Sequence, residues 1–430
     1  MKPSNIVMAI MLYSVIASLA PIPSFANSQT NKTNILSTQQ IEHWRKDIDV
    51  MQHELEQRHI HLYHQISADS FNKEVVRIKQ QLPSYTENSL RIELMRLIKQ
   101  VGDGHTQFAY WGGEHHSYPL ELRMFGNELR LIGIPQQHQH LLGTTLIAIE
   151  DRSIEQLLPL LTPILQGVEN IQSEQQRLIE TIRVAEVLQG LKISKSLEQT
   201  KFTFKQPNGK LQSITLNSLN SNQFAKHKLS TLKLTKPVDF TKHKISNDDI
   251  ELLLSNNDQT VYLDFHHYPS FSEMKNFTDD LIVLLRGKKT RNVIIDLRNN
   301  SGGDFFVGLH LAWAFIMVDN LNWRDGIYVL TGRKTFSAAM SNAAQCRQLL
   351  NATLVGEPTG ANPVGYQDAD TFLLPHSGWK VMYSKRLYRF QDKPSEGVQP
   401  DVLIPLEWDS YKAGEDNQLN WVLNTIKRAQ

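Results

Sequence analysis

The chain has 430 residues, 40% of them hydrophobic and 21% charged, and a formal net charge of +1. That length suggests two or three domains, and the ordinary globular composition excludes wholesale disorder. Charge is balanced and well mixed along the chain, so nothing points to nucleic acid or an anionic membrane as partner.

The N-terminus reads as a secretory leader over residues 1–26. Lys2 supplies a positive charge, Ile6 to Ala20 is mostly apolar, and Pro21 and Pro23 break the run. Ser24-Phe25-Ala26 then puts small residues where leader processing requires them. The mature chain is expected to begin near Asn27 and to be periplasmic or secreted. An uncleaved membrane anchor is the other reading of the same segment. Beyond Ala26 no apolar run approaches the ~20 residues of a membrane span. The single cysteine, Cys346, excludes an intramolecular disulfide and a multi-thiolate zinc site. Its apolar helical surroundings suit a buried structural thiol.

From residue 27 to about 112 the chain reads as a small helical unit. Ser37 and Gln40 have capping-box spacing, and Ile41, Trp44, Ile48, Met51 and Leu55 recur at helical period. Amphipathic helices are expected over Ser70–Leu82 and Ser89–Val101. The unit ends at Gly102-Asp103-Gly104-His105-Thr106. Residues 113–216 read as β-rich. Leu120, Leu122 and Met124 alternate, as do Leu129 and Leu131 across Gly126-Asn127, and Leu146 to Ile149 gives another strand. A helix is expected from Ser153, and another over Glu174–Leu188 with Ser173 as its cap. Phe202–Phe204 and Ile214–Leu216 suggest a hairpin. Residues 217–250, rich in Ser, Asn, Lys and Thr, read as a linker.

From 251 onward strands and helices alternate. Strands are expected at Val261–Phe265, Val293–Leu297, Ile327–Leu330 and Thr353–Val355. Helices are expected at Ser272–Arg286, Phe305–Val318 and Phe336–Leu350. Two late strands, Thr371–Leu374 and Trp379–Tyr383, flank Pro375-His376-Ser377-Gly378. The class is α/β with a largely parallel core.

Two stretches carry the chemistry. Val293-Ile294-Ile295-Asp296-Leu297 runs into Arg298-Asn299-Asn300-Ser301-Gly302-Gly303, a glycine turn whose amides can bind an oxyanion. Ile327 to Leu330 leads to Ser337, a serine opening a helix and a candidate nucleophile. The ordinary alternative for Ser337 is a helix N-cap.

These residues resemble the core of the S41 serine peptidases, the C-terminal-processing and tricorn-like proteases. Asp296 to Gly303, Phe336-Ser337-Ala338-Ala339 and Val355-Gly356-Glu357-Pro358-Thr359-Gly360 carry the resemblance. Asp103-Gly104-His105-Thr106 and Glu396-Gly397-Val398-Gln399-Pro400-Asp401-Val402 extend it. It implies a crotonase-like ββα catalytic core over 251–430, with the helical unit and a small β-rich, PDZ-like middle domain before it.

The resemblance implies Ser337 as nucleophile, with Ala338 and Gly302 or Gly303 as oxyanion donors. One branch of the family carries a lysine where this chain has Asn362, so a Ser–Lys dyad is not expected. The tricorn-like branch uses a histidine, and His105 matches it. Imidazole can accept a serine proton near neutral pH. Glu396 is the candidate that orients His105, with Glu357 and Asp103 as alternatives. Asp296 and Arg298 are read as holding the turn. Glu114-His115-His116 and His138-Gln139-His140 lack helical metal-ligand spacing and read as surface histidines. Neither a metal nor a cofactor is called for. The expected partner is a peptide or protein substrate. The alternatives are a catalytically silent exported peptide-binding module and a serine esterase on the same fold.

Overall fold

The computed structural model describes residues 35–429, so the leader expected over 1–26 lies outside the described residues. Ser37 caps Thr38–Arg58 through a reciprocal capping box with Gln40. Trp44, Ile48, Met51 and Leu55 are all buried, which makes the stripe a core face. Helices Ala68–Gln81 and Glu87–Lys99 follow, each started by a hydroxyl cap, Ser67 and Thr86.

The hairpin Glu121–Phe125/Glu128–Pro135 turns at Gly126, whose φ of 57° suits glycine. Thr145–Ile149, Gln199–Lys205 and Leu211–Asn217 continue it as an antiparallel sheet. The helix expected over Glu174–Leu188 is two helices, Ile171–Thr181 and Ala185–Gly190. Between them Arg183 accepts a bond from the Tyr118 amide and Val184 bridges Ser117, a sheet contact that interrupts the helix. Asn170 is the cap of the first helix, and Ser173 is its capping-box partner three residues on. The segment read as a linker supplies strands to both sheets. Leu229–Thr231 pairs with Glu128–Pro135, and Phe240–Lys242 forms the edge of the catalytic sheet.

That sheet runs in the order Phe240–Lys242, Ile250–Ser255, Thr260–Phe265, Asn292–Asp296, Ile327–Thr331, Thr353–Gly356, Val402–Leu403. The first two pairings are antiparallel and the remaining four are parallel. Phe271–Arg286, Phe305–Ile316 and Ala338–Leu350 cover one face, on which Val293 and Ile295 are buried. Asn417–Ala429 covers the other, over Ile294. Successive residues of a strand point to opposite faces, so a strand covered on both reads as an unbroken apolar run. Cys346 is buried in Ala338–Leu350, and burial pushes its thiol up to about 12.

The late hairpin is longer than expected, Val364–Leu373 paired with Lys380–Arg389. Its outer half carries Asp368, Lys385 and Arg386, so apolar alternation does not mark it. Its inner end, with Phe372, Leu374, Trp379, Val381 and Tyr383, packs into the core of the N-terminal helices and middle sheet. Gln107 and Met382 exchange backbone hydrogen bonds of 2.9 and 3.0 Å there.

Asp296 and Arg298 fix the turn after the central strand. The Asp296 carboxylate accepts from the Arg298 amide at 2.9 Å and from Tyr262 Oη at 2.7 Å. The Arg298 guanidinium spans Asp296 and Asp416, with a further bond to Gln418. Burial alone would raise Asp296, yet the Arg298 charge and the bonds from Arg298 and Tyr262 hold it below the usual carboxylate range. Removing one member of a buried pair strands the other. Arg298→Leu is expected to cost about 3–5 kcal/mol, read as a lower urea midpoint, whereas a change within about 1 kcal/mol would mean the triad is not a structural tie.

Candidate active site

Ser337 ends the loop after strand Ile327–Thr331 and opens helix Ala338–Leu350. Its φ of 50° and ψ of −128° lie outside the extended region of an ordinary N-cap, and its side chain makes no capping bond. The loop holds this conformation from both sides. Thr335 Oγ1 donates to the Leu297 carbonyl at 2.8 Å and accepts from the Gly332 amide at 3.0 Å. The Phe336 amide donates to the Asn300 carbonyl at 3.2 Å, and the Gly360 amide to the Thr335 carbonyl at 2.9 Å.

Asn300 also shapes the glycine turn. Its Nδ2 donates to the Phe265 carbonyl at 2.9 Å, and its Oδ1 accepts from the Gly302 amide at 2.9 Å. The Gly302 amide is thereby committed, whereas those of Gly303 and Ala338 make no hydrogen bond among the described residues. Of the two glycines proposed from the sequence, Gly303 has the free donor. Gly302 has φ +103°, and a Cβ there would lie 2.7 Å from Ser337 Cβ and 3.0 Å from Ala338 N. Its place is a close backbone approach to the serine.

His105 lies on the segment linking the last N-terminal helix to the middle sheet, and is 4% exposed. Its ring stacks on Phe336, with centroids 5.1 Å apart. Nδ1 lies 3.1 Å from Glu169 Oε1. An ionised carboxylate only accepts, so Nδ1 carries the proton of the neutral ring and Nε2 is the basic nitrogen. Nε2 is buried and makes no hydrogen bond among the described residues. Ser337, His105, Ser301, Gly303 and Phe336 line one cavity of ≈ 370 Å³.

Glu169 was missed in the sequence, and it takes the place expected for Glu396. Glu396 is exposed, with its carbonyl accepting from Gln399 Nε2 at 2.6 Å. Glu357 pairs with Arg333 at 2.8 Å. Asp103 supports the histidine from behind, accepting from the His105 amide at 2.9 Å, Ser384 Oγ at 2.6 Å and His59 Nε2 at 3.0 Å. No motif marks Glu169. The one local signal was Asn170, a cap residue placing Glu169 at the mouth of a helix.

Asn362, noted in the sequence only for not being lysine, holds Glu169. Its amide donates to Glu169 Oε2 at 2.7 Å and its Nδ2 to the Glu169 carbonyl at 3.0 Å. Its Oδ1 accepts from Asn170 Nδ2 and from the Gly397 amide, each at 2.8 Å. The Glu396 segment therefore meets the site through the Gly397 backbone.

The histidine clusters lie elsewhere. His116 Nδ1 pairs with Glu186 at 2.7 Å, and His138 and His140 sit on a 3-10 turn. Among the described residues no group of three or more His, Cys, Asp or Glu could hold a metal.

Residues 317–404 match the family model described as Peptidase family S41. The match covers the Ser337 helix and runs to the Glu396 segment. Two solved structures share the fold of this chain. Mature CPAF complexed with lactacystin superposes with a TM-score of 0.65 at 12% identity, covering 90% of this chain and 98% of that one. A second structure of mature CPAF gives 0.61 at 12% identity, covering 89% and 96%.

Two expectations follow from this packing. A Cβ on Gly104 would lie 2.5 Å from Glu169 Oε1 and 2.7 Å from Phe336 Cζ. Gly104→Ala should therefore cost on the order of 100-fold in kcat by displacing Glu169 from His105; full turnover in the folded variant would disconnect the two. Asp103 is held low: burial raises it, but the bonds from His59, Ser384 and the His105 amide more than offset that. A depressed folded-state carboxylate gives stability that is present above its unfolded value and lost as pH falls through the folded value. Acid unfolding of wild type should steepen below about pH 4. Asp103→Asn should flatten that limb, and superimposable profiles would remove Asp103 from the account.

Proposed function

We propose that this chain is an exported serine peptidase in which Ser337 attacks the peptide carbonyl, His105 is the base and Glu169 orients it. The observation that carries this is the pairing of a serine in a strained, non-capping conformation with a buried histidine whose free nitrogen is Nε2, both lining one cavity. His105 Nε2 takes the Ser337 hydroxyl proton as Oγ bonds to the carbonyl carbon. The amides of Gly303 and Ala338 receive the developing oxyanion. The imidazolium, stabilised by Glu169, then protonates the leaving amine, and the C–N bond breaks to leave an acyl-enzyme. Water gives a proton to Nε2 as its oxygen bonds to the acyl carbon, and Nε2 returns that proton to Ser337 Oγ as the acyl C–Oγ bond breaks. Export is read from the leader-like sequence of residues 1–26.

This reading differs from the sequence expectation in its third residue. Glu169 has one oxygen on His105 and the other on the Asn362 amide, so its position is fixed from both ends.

Fluorophosphonate labelling, with the adduct located by peptide mass spectrometry, should mark Ser337. Ser337→Ala and His105→Ala should each lower kcat/KM by on the order of 10⁴-fold or more. Glu169→Gln should lose roughly 10²–10⁴-fold, because the ring keeps a partner but loses the charge that stabilises the imidazolium. Glu396→Gln should keep near wild-type turnover. Turnover of small esters with no peptide cleaved would favour the esterase, and peptide binding with neither label nor turnover the silent module. Equal losses in the two glutamine variants would return the third role to Glu396.

A further inference from the structure

A second cavity, of ≈ 740 Å³, lies between the first strands of the middle sheet and the catalytic sheet. Its lining includes Arg123, Arg183 and Lys334. None of the three has a carboxylate within ion-pair distance among the described residues. Arg183 NH1 donates to the Leu120 carbonyl at 3.2 Å and its guanidinium lies over Phe224. Arg123 lies over the Tyr411 ring, 5.4 Å from its centroid. Burial first pulls the Lys334 ammonium below the usual lysine range. Glu180 opposes that, and the charges of Arg177, Arg123 and Arg183 add to it. Arg123, Arg183 and Lys334 thus share the lining with Glu121 and Glu180, and Glu180 is already paired with Arg177 at 2.8 Å. At the other end of the cavity the acids are satisfied, Asp296 and Asp416 on Arg298 and Asp264 on His266.

Close, uncompensated cations repel one another, and the arrangement is relieved when an anion joins it. The position says what kind of anion. Glu180 lines both this cavity and the one holding Ser337, so the two lie on either side of its side chain. Lys334 is three residues from Ser337, so their Cα atoms are at most about 11 Å apart. An extended peptide crosses that span in about three residues.

We propose that Arg123, Arg183 and Lys334 form a subsite for a carboxylate of the bound peptide, within about four residues of the scissile bond. The group is an acidic side chain. This rests on the peptidase reading and deepens it by naming the substrate class: peptides carrying a carboxylate near the cleavage point. Multiple donors on separate elements favour a carboxylate over a neutral amide through charge-assisted hydrogen bonds.

The test uses peptide pairs in which one Glu or Gln is walked through four positions on either side of the cleavage point, each made with a free and an amidated C-terminus. Wild type should prefer Glu at one position by ~10-fold in kcat/KM at low ionic strength, with the preference shrinking in about 0.5 M salt. Arg183→Gln and Lys334→Gln should each bring that ratio to within about twofold of one. A preference that follows the free terminus and not the Glu position overturns the proposal. No preference at any position or terminus, or one that survives in both folded variants, overturns the proposal. Should wild type cleave no peptide, the peptidase reading fails by itself. The subsite then stands or falls on anisotropy of a fluorescein-labelled acidic peptide with the Ser337→Ala protein: about tenfold weaker binding in both added variants sustains it, and equal or absent binding removes it.

Discussion

The site depends on keeping Ser337 in a backbone conformation that an L-residue avoids. Such a residue costs of order 1–3 kcal/mol and persists where its surroundings over-determine it. Here they do. Thr335 and Phe336 are tied to Leu297 and Asn300 on the neighbouring turn, and Gly302 lies so close to the serine that a side chain there would collide with it. Asn300, fully buried, fixes the serine loop through its carbonyl and the glycine turn through its side chain. One residue thereby sets the spacing between the serine and the Gly303 amide. The Asp296–Arg298–Asp416 triad fixes the strand from which that turn departs.

The remaining groups come from a different core. His105 and Glu169 belong to the helical and middle segments, and Ser337 to the catalytic sheet. The long hairpin joins these cores, because its inner end is buried with the N-terminal helices and bridged to Gln107 at Met382, while Tyr388 at its other end and Phe390 just beyond it lie against Phe305 of the catalytic segment. The alignment of His105 with Ser337 therefore depends on how stiffly that joint holds the two cores, since catalytic geometry tolerates little displacement.

What was legible in the sequence follows from range of interaction. Local rules found the Ser37 capping box, the Trp44 to Leu55 stripe, and the parallel strands around Val293 and Ile327, since each depends on neighbours within a few residues. They did not find the break at Val184, which a bridge to Ser117 imposes, or the polar outer half of the late hairpin. Ser337 and His105 were reachable through motif resemblance. Glu169 was not, because its partners His105 and Asn362 lie 64 and 193 residues away and no spacing links them.

Asn362 sits among partners that suit an amide and not a lysine at this position. Its backbone amide and side chain hold Glu169, Asn170 and the Gly397 amide at once, and all are short neutral or charge-assisted bonds. A lysine there would forfeit the two bonds accepted by Oδ1. It would also place an ammonium beside the carboxylate that His105 contacts. In a buried site that cation would draw Glu169 into its own ion pair and away from the His105 ring. The uncharged asparagine leaves Glu169 available to the ring. The partner that Glu169 takes is therefore tied to the residue at 362.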